Sequence, residues 1–450
     1  MRRLLSIVLL TVAWSKDACC EEAPRPPVKF TVADGDAIVF LGDSITQQGL
    51  YTQYVETYFY TRDPGLRLKF HNAGVSGDTA ADALARFDRD VASYRPRYVT
   101  VLLGMNDGSS TKFDESLFDT YRADMQQLVE RIRKIGATPI LLTPTMYDSR
   151  MAARRTKPDS RGRGGYYNGV LALYGAWLRE AAAANGAGFA DLYGPLNYFT
   201  NQSRKSDPDF TLIPDGIHPD PNGQIVMAYS LVADLGLSKR VFTIDISRNS
   251  ADEVVTKTAG GKITEASTAN GGYAFTFAPE CLTLPVPAGA EMGAKLIPLG
   301  HRLGLEALYV HGLSAGRYEL WINDQRIGVF ASQQLESKLE LQNFPTTPQY
   351  QQALQVARLN AQRNEQAVLP LRDLWRAKKS LAKTERELEA SPDDATLKKR
   401  AFVQQRNLAD FDEQLAGFER TARQIEDEIY RANQPQPLHF RILPAAGKQH

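Results

Sequence analysis

The sequence predicts an α/β domain built on a parallel sheet, followed by a small β domain and a long antiparallel helical hairpin. Three observations carry this. Across residues 28–237, short apolar runs alternate with amphipathic stretches of helical spacing, the pattern of strands and crossover helices that covers a parallel sheet on both faces. From Val241 the strand-like runs continue, but Gly and Pro separate them and no helical stretch intervenes. After Pro348 the composition turns to Ala, Leu, Gln, Glu, Lys and Arg, all good helix formers. The expected division is a signal peptide at 1–20, the α/β domain at 28–240, the β domain at 241–345, the hairpin at 346–436, and a C-terminal strand and tail at 437–450.

In the first domain, residues 37–41 are continuously apolar and read as a buried strand. A helix over 51–61 and a strand over 66–71 follow. At 80–94, Ala83, Leu84, Phe87 and Val91 share one helical face. The run 98–103 is β-branched and apolar, and the helix over 118–135 is closed by Gly136. Strands at 139–142 and 189–192 flank a helix at 167–185, and a last helix covers 222–235. The β domain has strand-like runs at 241–246, 273–277, 282–286, 308–310, 318–322 and 326–330, with Asn323 and Asp324 as a hairpin turn. In the last region Ser391, Pro392 and Asp393 separate helices at 349–390 and 396–432, with Ser391 as N-cap and Pro392 in the first turn. Leu369, Leu371, Leu374 and Leu381 can pack against Leu408, Phe411, Leu415, Phe418 and Ile425. The hairpin therefore reads as a self-packed arm; the alternatives are a surface for a protein partner or a wall over the active site. The alternating run 438–443 returns to the β domain as a strand.

The bulk numbers exclude several classes. Lys plus Arg is 53 and Asp plus Glu is 52, so charge balance gives no argument for nucleic acid. Of three cysteines, Cys19 and Cys20 lie at the extreme N-terminus and only Cys281 remains, so no disulfide scaffold is implied. Arg2 and Arg3 precede an apolar stretch at 4–14, which has signal-peptide length and is too short for a membrane span. Ala18, Cys19 and Cys20 are small residues around the expected cleavage point, and the Pro-rich 23–27 reads as a spacer. Lys16 and Asp17 stand where a lipobox wants an apolar and a small residue, which disfavours lipidation of either cysteine. The expectation is a secreted or periplasmic protein with no membrane span.

Four short segments carry chemistry: Leu41-Gly42-Asp43-Ser44-Ile45-Thr46, Asn72-Ala73-Gly74-Val75-Ser76-Gly77-Asp78-Thr79, Gly104-Met105-Asn106-Asp107, and Asp215-Gly216-Ile217-His218-Pro219. The first three follow expected strands, where open α/β sheets bind their ligands. Acyl transfer needs a serine, a base to take its proton, a carboxylate on the far ring nitrogen, and donors aimed at the developing oxyanion. Ser44, His218, Asp215, the Gly77 N–H and the Asn106 amide can supply these roles. Asp215 and His218 are three residues apart, so one turn can bring carboxylate to imidazole. A Gly-x-Ser-x-Gly elbow is not present around Ser44.

Together the four segments resemble the blocks of the SGNH (GDSL-type) hydrolases, over about residues 37–235. The resemblance implies a flavodoxin-like three-layer α/β/α fold, a Ser-His-Asp triad of Ser44, His218 and Asp215, and an oxyanion hole formed by the Ser44 and Gly77 backbone N–H groups and the Asn106 side chain. It also implies a carboxylic ester hydrolase with no metal or organic cofactor. The β domain and hairpin lie outside it. Export and the polar loop at 146–165, with Arg150, Arg154, Arg155, Lys157, Arg161 and Arg163 against Asp148 and Asp159, lean towards a short acyl, chiefly acetyl, ester on a carbohydrate. For the loop itself a solvated, structureless reading comes first. Tyr147, Tyr166 and Tyr167 beside it suit either sugar stacking or packing, while Trp321, the only tryptophan of the β domain, makes a weak sugar platform. The expected partner is an acylated small molecule or polysaccharide. The alternatives are a lysophospholipase or other lipid acylhydrolase, and a non-catalytic glycan-binding or scaffold protein retaining the fold.

Overall fold

The computed structural model describes residues 28–108, 112–155, 162–237, 240–251 and 253–445. The expected signal peptide, with Cys19 and Cys20, lies outside them, as do Lys157, Asp159 and Arg161. Strands β1 (Ala37–Gly42), β2 (Lys69–Gly74), β3 (Tyr98–Leu102), β4 (Thr138–Leu142) and β5 (Gly188–Ala190) form an all-parallel sheet in the order β2-β1-β3-β4-β5. Every residue of β1 and β3 is buried, as strands covered on both faces require. The covering helices are α1 (Ser44–Gln47), α2 (Leu50–Arg62), α3 (Ala80–Asp90), α4 (Glu115–Lys134), α5 (Ser149–Ala152), α6 (Tyr167–Asn185), α7 (Tyr193–Ser203) and α8 (Pro221–Asp234). This is the flavodoxin-like three-layer fold. Helix α7 is not among the elements expected from the sequence, and it holds Gly194 and Pro195. Both stand in its first turn, where Pro needs no N–H partner, and the Gly194 N–H donates to Asp191 Oδ1 at 2.9 Å.

The chain then builds two facing sheets from β6 (Arg240–Arg248), β7 (Val254–Ala259), β8 (Gly261–Ala269), β9 (Gly272–Pro279), β10 (Leu305–Val310), β11 (Arg317–Ile322), β12 (Gln325–Ala331), β13 (Leu339–Glu340) and β14 (Leu438–Pro444). Their orders are β13-β10-β6-β7 and β12-β11-β14-β9-β8. One apolar core holding Phe242, Ile244, Phe275, Phe277, Leu320 and Phe440 lies between them. Two expectations fail here. Residues 282–286 join no sheet: the Leu282 N–H donates to the Thr61 carbonyl at the end of α2 at 2.8 Å, and the Val286 N–H to the Tyr350 hydroxyl at 3.0 Å. Their apolar side chains Leu282 and Leu284 fill the core of the α/β domain instead. Helices also intervene, namely α9 (Glu291–Leu296), α10 (Leu299–Leu303) and α11 (Ser332–Ser337). None exceeds six residues, too short for a helical period to be read.

The hairpin comprises α12 (Pro348–Arg363), α13 (Leu369–Ala390), α14 (Ala395–Asn407) and α15 (Phe411–Ala432). A π-helical turn at Asn364–Val368 joins the first two. Pro370 has no N–H to give, and the wider turn just before it lets the helix continue. The expected second helix breaks at residues 408–410. From α15 the chain enters β14, which sits between β11 and β9 in the middle of the second sheet. The hairpin is therefore an excursion made between two strands of the β domain.

The arm does more than pack on itself, contrary to the simpler sequence expectation. It lies on the α/β domain beside the edge strand β2. Asn360 Nδ2 donates to the Gln53 carbonyl at 3.0 Å, Arg363 to the Phe70 carbonyl at 2.9 Å, the Tyr430 hydroxyl to the Leu68 carbonyl at 2.6 Å, and Asn433 to the Tyr60 carbonyl at 2.9 Å. Deeper in, Arg372 donates to both Asp90 oxygens at 2.7 and 2.9 Å, with both side chains fully buried. Burial alone would raise the Asp90 carboxyl; Arg372, His71 and Arg86 hold it well below the usual range. Burial also pushes the His71 ring down to about 4, so it meets Asp90 as a neutral imidazole. Among the described residues no helix is long and apolar enough to cross a membrane.

This arrangement makes Arg372 a fixture between arm and domain. Arg372→Met strands part of a buried carboxylate's charge, which typically costs about 3–5 kcal/mol. Equilibrium unfolding in urea should report a loss of that order. A change below about 1 kcal/mol, the range of exposed ion pairs, would contradict the docking described.

Candidate active site

The four sequence segments converge at the carboxyl ends of β1, β2 and β3 and the start of α8. Their convergence is built from hydrogen bonds among the segments. The Val75 N–H donates to the Gly42 carbonyl at 3.0 Å, and Asn72 Nδ2 to the Thr46 carbonyl at 2.7 Å. The second segment is thereby pinned to the first. A Cβ at Gly74 would come within 2.3 Å of the Gln47 backbone nitrogen, so only glycine lets β2 approach α1 this closely. Asp107 accepts from the Ala80 N–H at 2.7 Å and from the Gly104 N–H at 3.0 Å, which ties the third segment to the start of α3. On the far side, buried Gln224 of α8 accepts from the Tyr51 N–H at 3.0 Å and donates to Gln48 Oε1 at 2.8 Å. The helix that carries the histidine loop is thus fastened to the serine segment.

Within this frame, His218 Nε2 lies 2.8 Å from Ser44 Oγ, and His218 Nδ1 lies 2.7 Å from Asp215 Oδ2. The other Asp215 oxygen accepts from the backbone N–H groups of Ile217 at 2.8 Å and His218 at 2.7 Å. Partial burial works to raise the Asp215 carboxyl, but the His218 side-chain and backbone donors and the Ile217 N–H hold it well below the usual carboxylate range. It is an anion at every working pH. With Asp215 accepting at Nδ1–H, Nε2 carries the lone pair that faces the Ser44 hydroxyl. The arrangement can therefore take a proton from Ser44 and stabilise the imidazolium that results.

Gly77 sits in the turn that closes when the Asp78 N–H donates to the Val75 carbonyl at 3.1 Å. Its φ of +75° is the conformation that a type II turn requires at that place. Asn106 Nδ2 donates to the Asp78 carbonyl at 3.0 Å and approaches Asp43 Oδ2, next to Ser44, at 3.3 Å. Asn106 Oδ1 accepts from Arg163 at 3.0 Å, and the same guanidinium reaches the Met105 carbonyl at 3.1 Å. Ser44, His218 and Asp215 are thus joined directly, Asn106 is joined to Asp43 beside the serine, and Gly77 stands in the turn next to the Asp78 carbonyl that accepts from Asn106.

Sequence reasoning missed several supports. Arg163 reads as part of a solvated loop, yet it orients the Asn106 amide. Asp148 of the same loop is buried, accepts from Arg204 and from Thr211 at 2.7 Å, and its N–H donates to the carbonyl of Gly216, between Asp215 and His218, at 2.9 Å. Tyr147 and Tyr167 are buried packing residues whose hydroxyls donate to the Arg163 and Met105 carbonyls at 3.0 and 2.6 Å. Tyr166 differs, being 81% exposed. Asp43, flanking the serine, is buried and accepts from the Ile45 N–H at 2.9 Å. A charged residue preceding a serine gives no sequence signal of burial.

Burial pushes the Asp43 carboxyl up to about 6, against the lowering pull of the Ile45 N–H and His218. Because Asp43 holds its proton more tightly in the native state than in the unfolded chain, its ionisation removes stability as pH rises from the unfolded value of 3.8 through about 6. Asp43→Asn abolishes that dependence. Relative to wild type, the variant should gain about 2–3 kcal/mol between acid and neutral pH, whatever its fixed offset. Parallel unfolding curves for the two proteins across that range would contradict the assignment.

Comparison with known proteins gives the site a context. A profile of the GDSL-like lipase/acylhydrolase family matches residues 40–225. An acetylxylan esterase of Geobacillus stearothermophilus is 24% identical over 226 residues, which is 46% of this chain and 96% of that protein. The uncharacterized lipoprotein YqeF of Bacillus subtilis is 34% identical over 74 residues, 16% of this chain and 30% of its own. A solved structure, BT4096, a gut microbial diltiazem-metabolizing enzyme, is 26% identical, covers 92% of this chain and 99% of its own, and superposes with a TM-score of 0.77. That likeness extends through the β domain and the helical arm.

Proposed function

The chain belongs, through residues 40–225, to the GDSL-like lipase/acylhydrolase family and is a carboxylic ester hydrolase; from that premise we propose that it is an exported serine esterase that removes short acyl groups, chiefly acetyl, from a carbohydrate. The observation that carries the catalytic assignment is the Asp215–His218–Ser44 relay with contacts of 2.7 and 2.8 Å. In this reading Ser44 Oγ attacks the ester carbonyl carbon while its proton passes to His218 Nε2. The tetrahedral oxyanion is held by the Ser44 and Gly77 N–H groups and by Asn106 Nδ2. Collapse breaks the bond to the alcohol oxygen, which leaves with the proton from His218. Water then attacks the acyl-serine, giving its proton to His218, and release of the acid returns the proton to Ser44. Asp215 stays ionised throughout and balances the imidazolium in both halves.

The substrate assignment draws on different support. The acetylxylan esterase is related across nearly its whole length. Tyr166 is 81% exposed and follows Arg163, whose guanidinium touches Asn106, by three residues, and an exposed ring suits the face of a sugar. The N-terminal sequence pattern of Arg2, Arg3 and the apolar run at 4–14 supports export.

Ser44→Ala should lower turnover of an aryl acetate by at least about 10³-fold with the fold intact; wild-type turnover in the purified variant would remove Ser44 from the role. For the substrate, acetate release from acetylated xylan should exceed fatty-acid release from a lysophospholipid. A preference for acyl chains longer than about eight carbons, each CH₂ gaining ~0.8 kcal/mol in an apolar pocket, would promote the lipid reading instead. Tyr166→Ala should raise KM about 2- to 10-fold on acetylated xylan, the worth of one ring contact, and leave KM for an aryl acetate unchanged. An equal shift on both substrates would deny Tyr166 a sugar-stacking role.

A further inference from the structure

The helical arm reaches the turn that carries Gly77 at three points. Lys379 Nζ of α13 donates to Asp78 Oδ1 at 2.7 Å and to Asp82 Oδ2 at 2.9 Å. Asp373 Oδ1 accepts from Gln47 Nε2 at 3.2 Å, and Gln47 Oε1 in turn accepts from the Ser76 N–H at 2.6 Å. Val75 is packed in a small apolar cluster with Leu371, Trp375 and Phe411 of the arm. So Val75, Ser76 and Asp78, which surround Gly77, each have a partner that leads to α13.

The Asp78 contact matters most, because Asp78 is fully buried and its carbonyl accepts the Asn106 amide. Its two carboxylate oxygens are divided between two cations. Arg86 Nε holds Oδ2 at 2.7 Å from within the α/β domain, and Lys379 holds Oδ1 from the arm. Burial raises this carboxyl, and Arg86 and Lys379 oppose the rise. Without Lys379, Oδ1 faces the interior with no cation, and the carboxylate is relieved by moving or by taking a proton. A carboxylate that moves carries the Asp78 carbonyl, which accepts the Asn106 amide, and the turn that holds Gly77; one that takes a proton loses its hold on Arg86. Lys379 is itself part-exposed, at 28% of its side chain, so its replacement leaves no cavity in a core.

We propose that Lys379 is a positioning residue for oxyanion stabilisation: acting through Asp78, the helical arm sets the placement of Gly77 and Asn106 and thereby the rate of the chemical step. This rests on the esterase reading above. It gives the arm a role in catalysis at a distance from the reacting atoms, and it makes the α/β domain alone an incomplete enzyme.

The test is steady-state kinetics on an aryl acetate with full-length Lys379→Met and Lys379→Arg. In Lys379→Met, kcat should fall about 10- to 100-fold with KM within about twofold, because misplacement by a fraction of an ångström acts on the transition state. Lys379→Arg keeps a cation on Asp78 and should recover most of the loss. A second variant, Asp373→Ala, alters an exposed side chain, frees Gln47 from its anchor, and should lower kcat in the same direction. Wild-type kcat in Lys379→Met and Asp373→Ala, a loss confined to KM, or an equal loss in Lys379→Arg overturns the proposal. Ser44→Ala measured alongside separates the two readings: if it stays active the esterase assignment falls, and if it is inactive while Lys379→Met is not, only the role of Lys379 falls.

Discussion

The 2.8 Å contact between Ser44 Oγ and His218 Nε2 joins residues 174 apart in the sequence, and a contact that short tolerates little movement at either end. Ser44 is fixed by the end of β1 and by Asp43, which caps α1. His218 is fixed by Asp215, and its loop by the Gly216 carbonyl that accepts from Asp148. Between these ends lie the sheet and the helices on it. Gln224 shortens that path by bonding directly to the serine side. A parallel sheet suits the task because its strands end together at one edge, and short loops from that edge need only reach a few ångströms.

The same logic extends outward to the arm. Its interface with the α/β domain is built around buried charge. Arg363 donates to Glu56 at 3.3 Å and to Glu426 at 2.7 Å, and Arg372 donates to Asp90. Buried ion pairs lose hydration and add little net stability, but breaking one is expensive, so they fix geometry more than they bind. Such an interface suits an arm whose position matters. The arm is also held at both ends: β13 precedes it, and β14, which follows it, completes the second sheet of the β domain. An excursion anchored this way cannot drift from the domain on which it lies.

How much of this was legible in the sequence follows from the chemistry of the residues. The parallel sheet is legible because β1, β3 and β4 are short runs of apolar and β-branched residues, and the bounds expected for α6, 167–185, are those it has. The expected site residues were legible because glycines, a serine and a histidine stand next to strand ends and a helix start, and the structure brings all of them together. The docking of the arm was not. Asn360, Arg363, Arg372 and Lys379 look like the solvated face of a helix, Glu56 and Asp90 look the same, and Asp78 stands in a strand-end turn where nothing marks it as the partner of a distant lysine. A charged residue whose partner lies some three hundred positions away leaves no local pattern, and only its burial distinguishes it. Residues 282–286 failed for the opposite reason: apolar alternation records burial but does not say whether a strand or a helix end will take the backbone hydrogen bonds.

Activation of Ser44 by His218 can be measured by exposing the protein to an organophosphonate at neutral pH and mapping the adduct by mass spectrometry. A single stoichiometric adduct should form on the peptide bearing Ser44 and be almost completely lost in His218→Ala. An adduct on another residue, or labelling of Ser44 at the wild-type rate without His218, would contradict it.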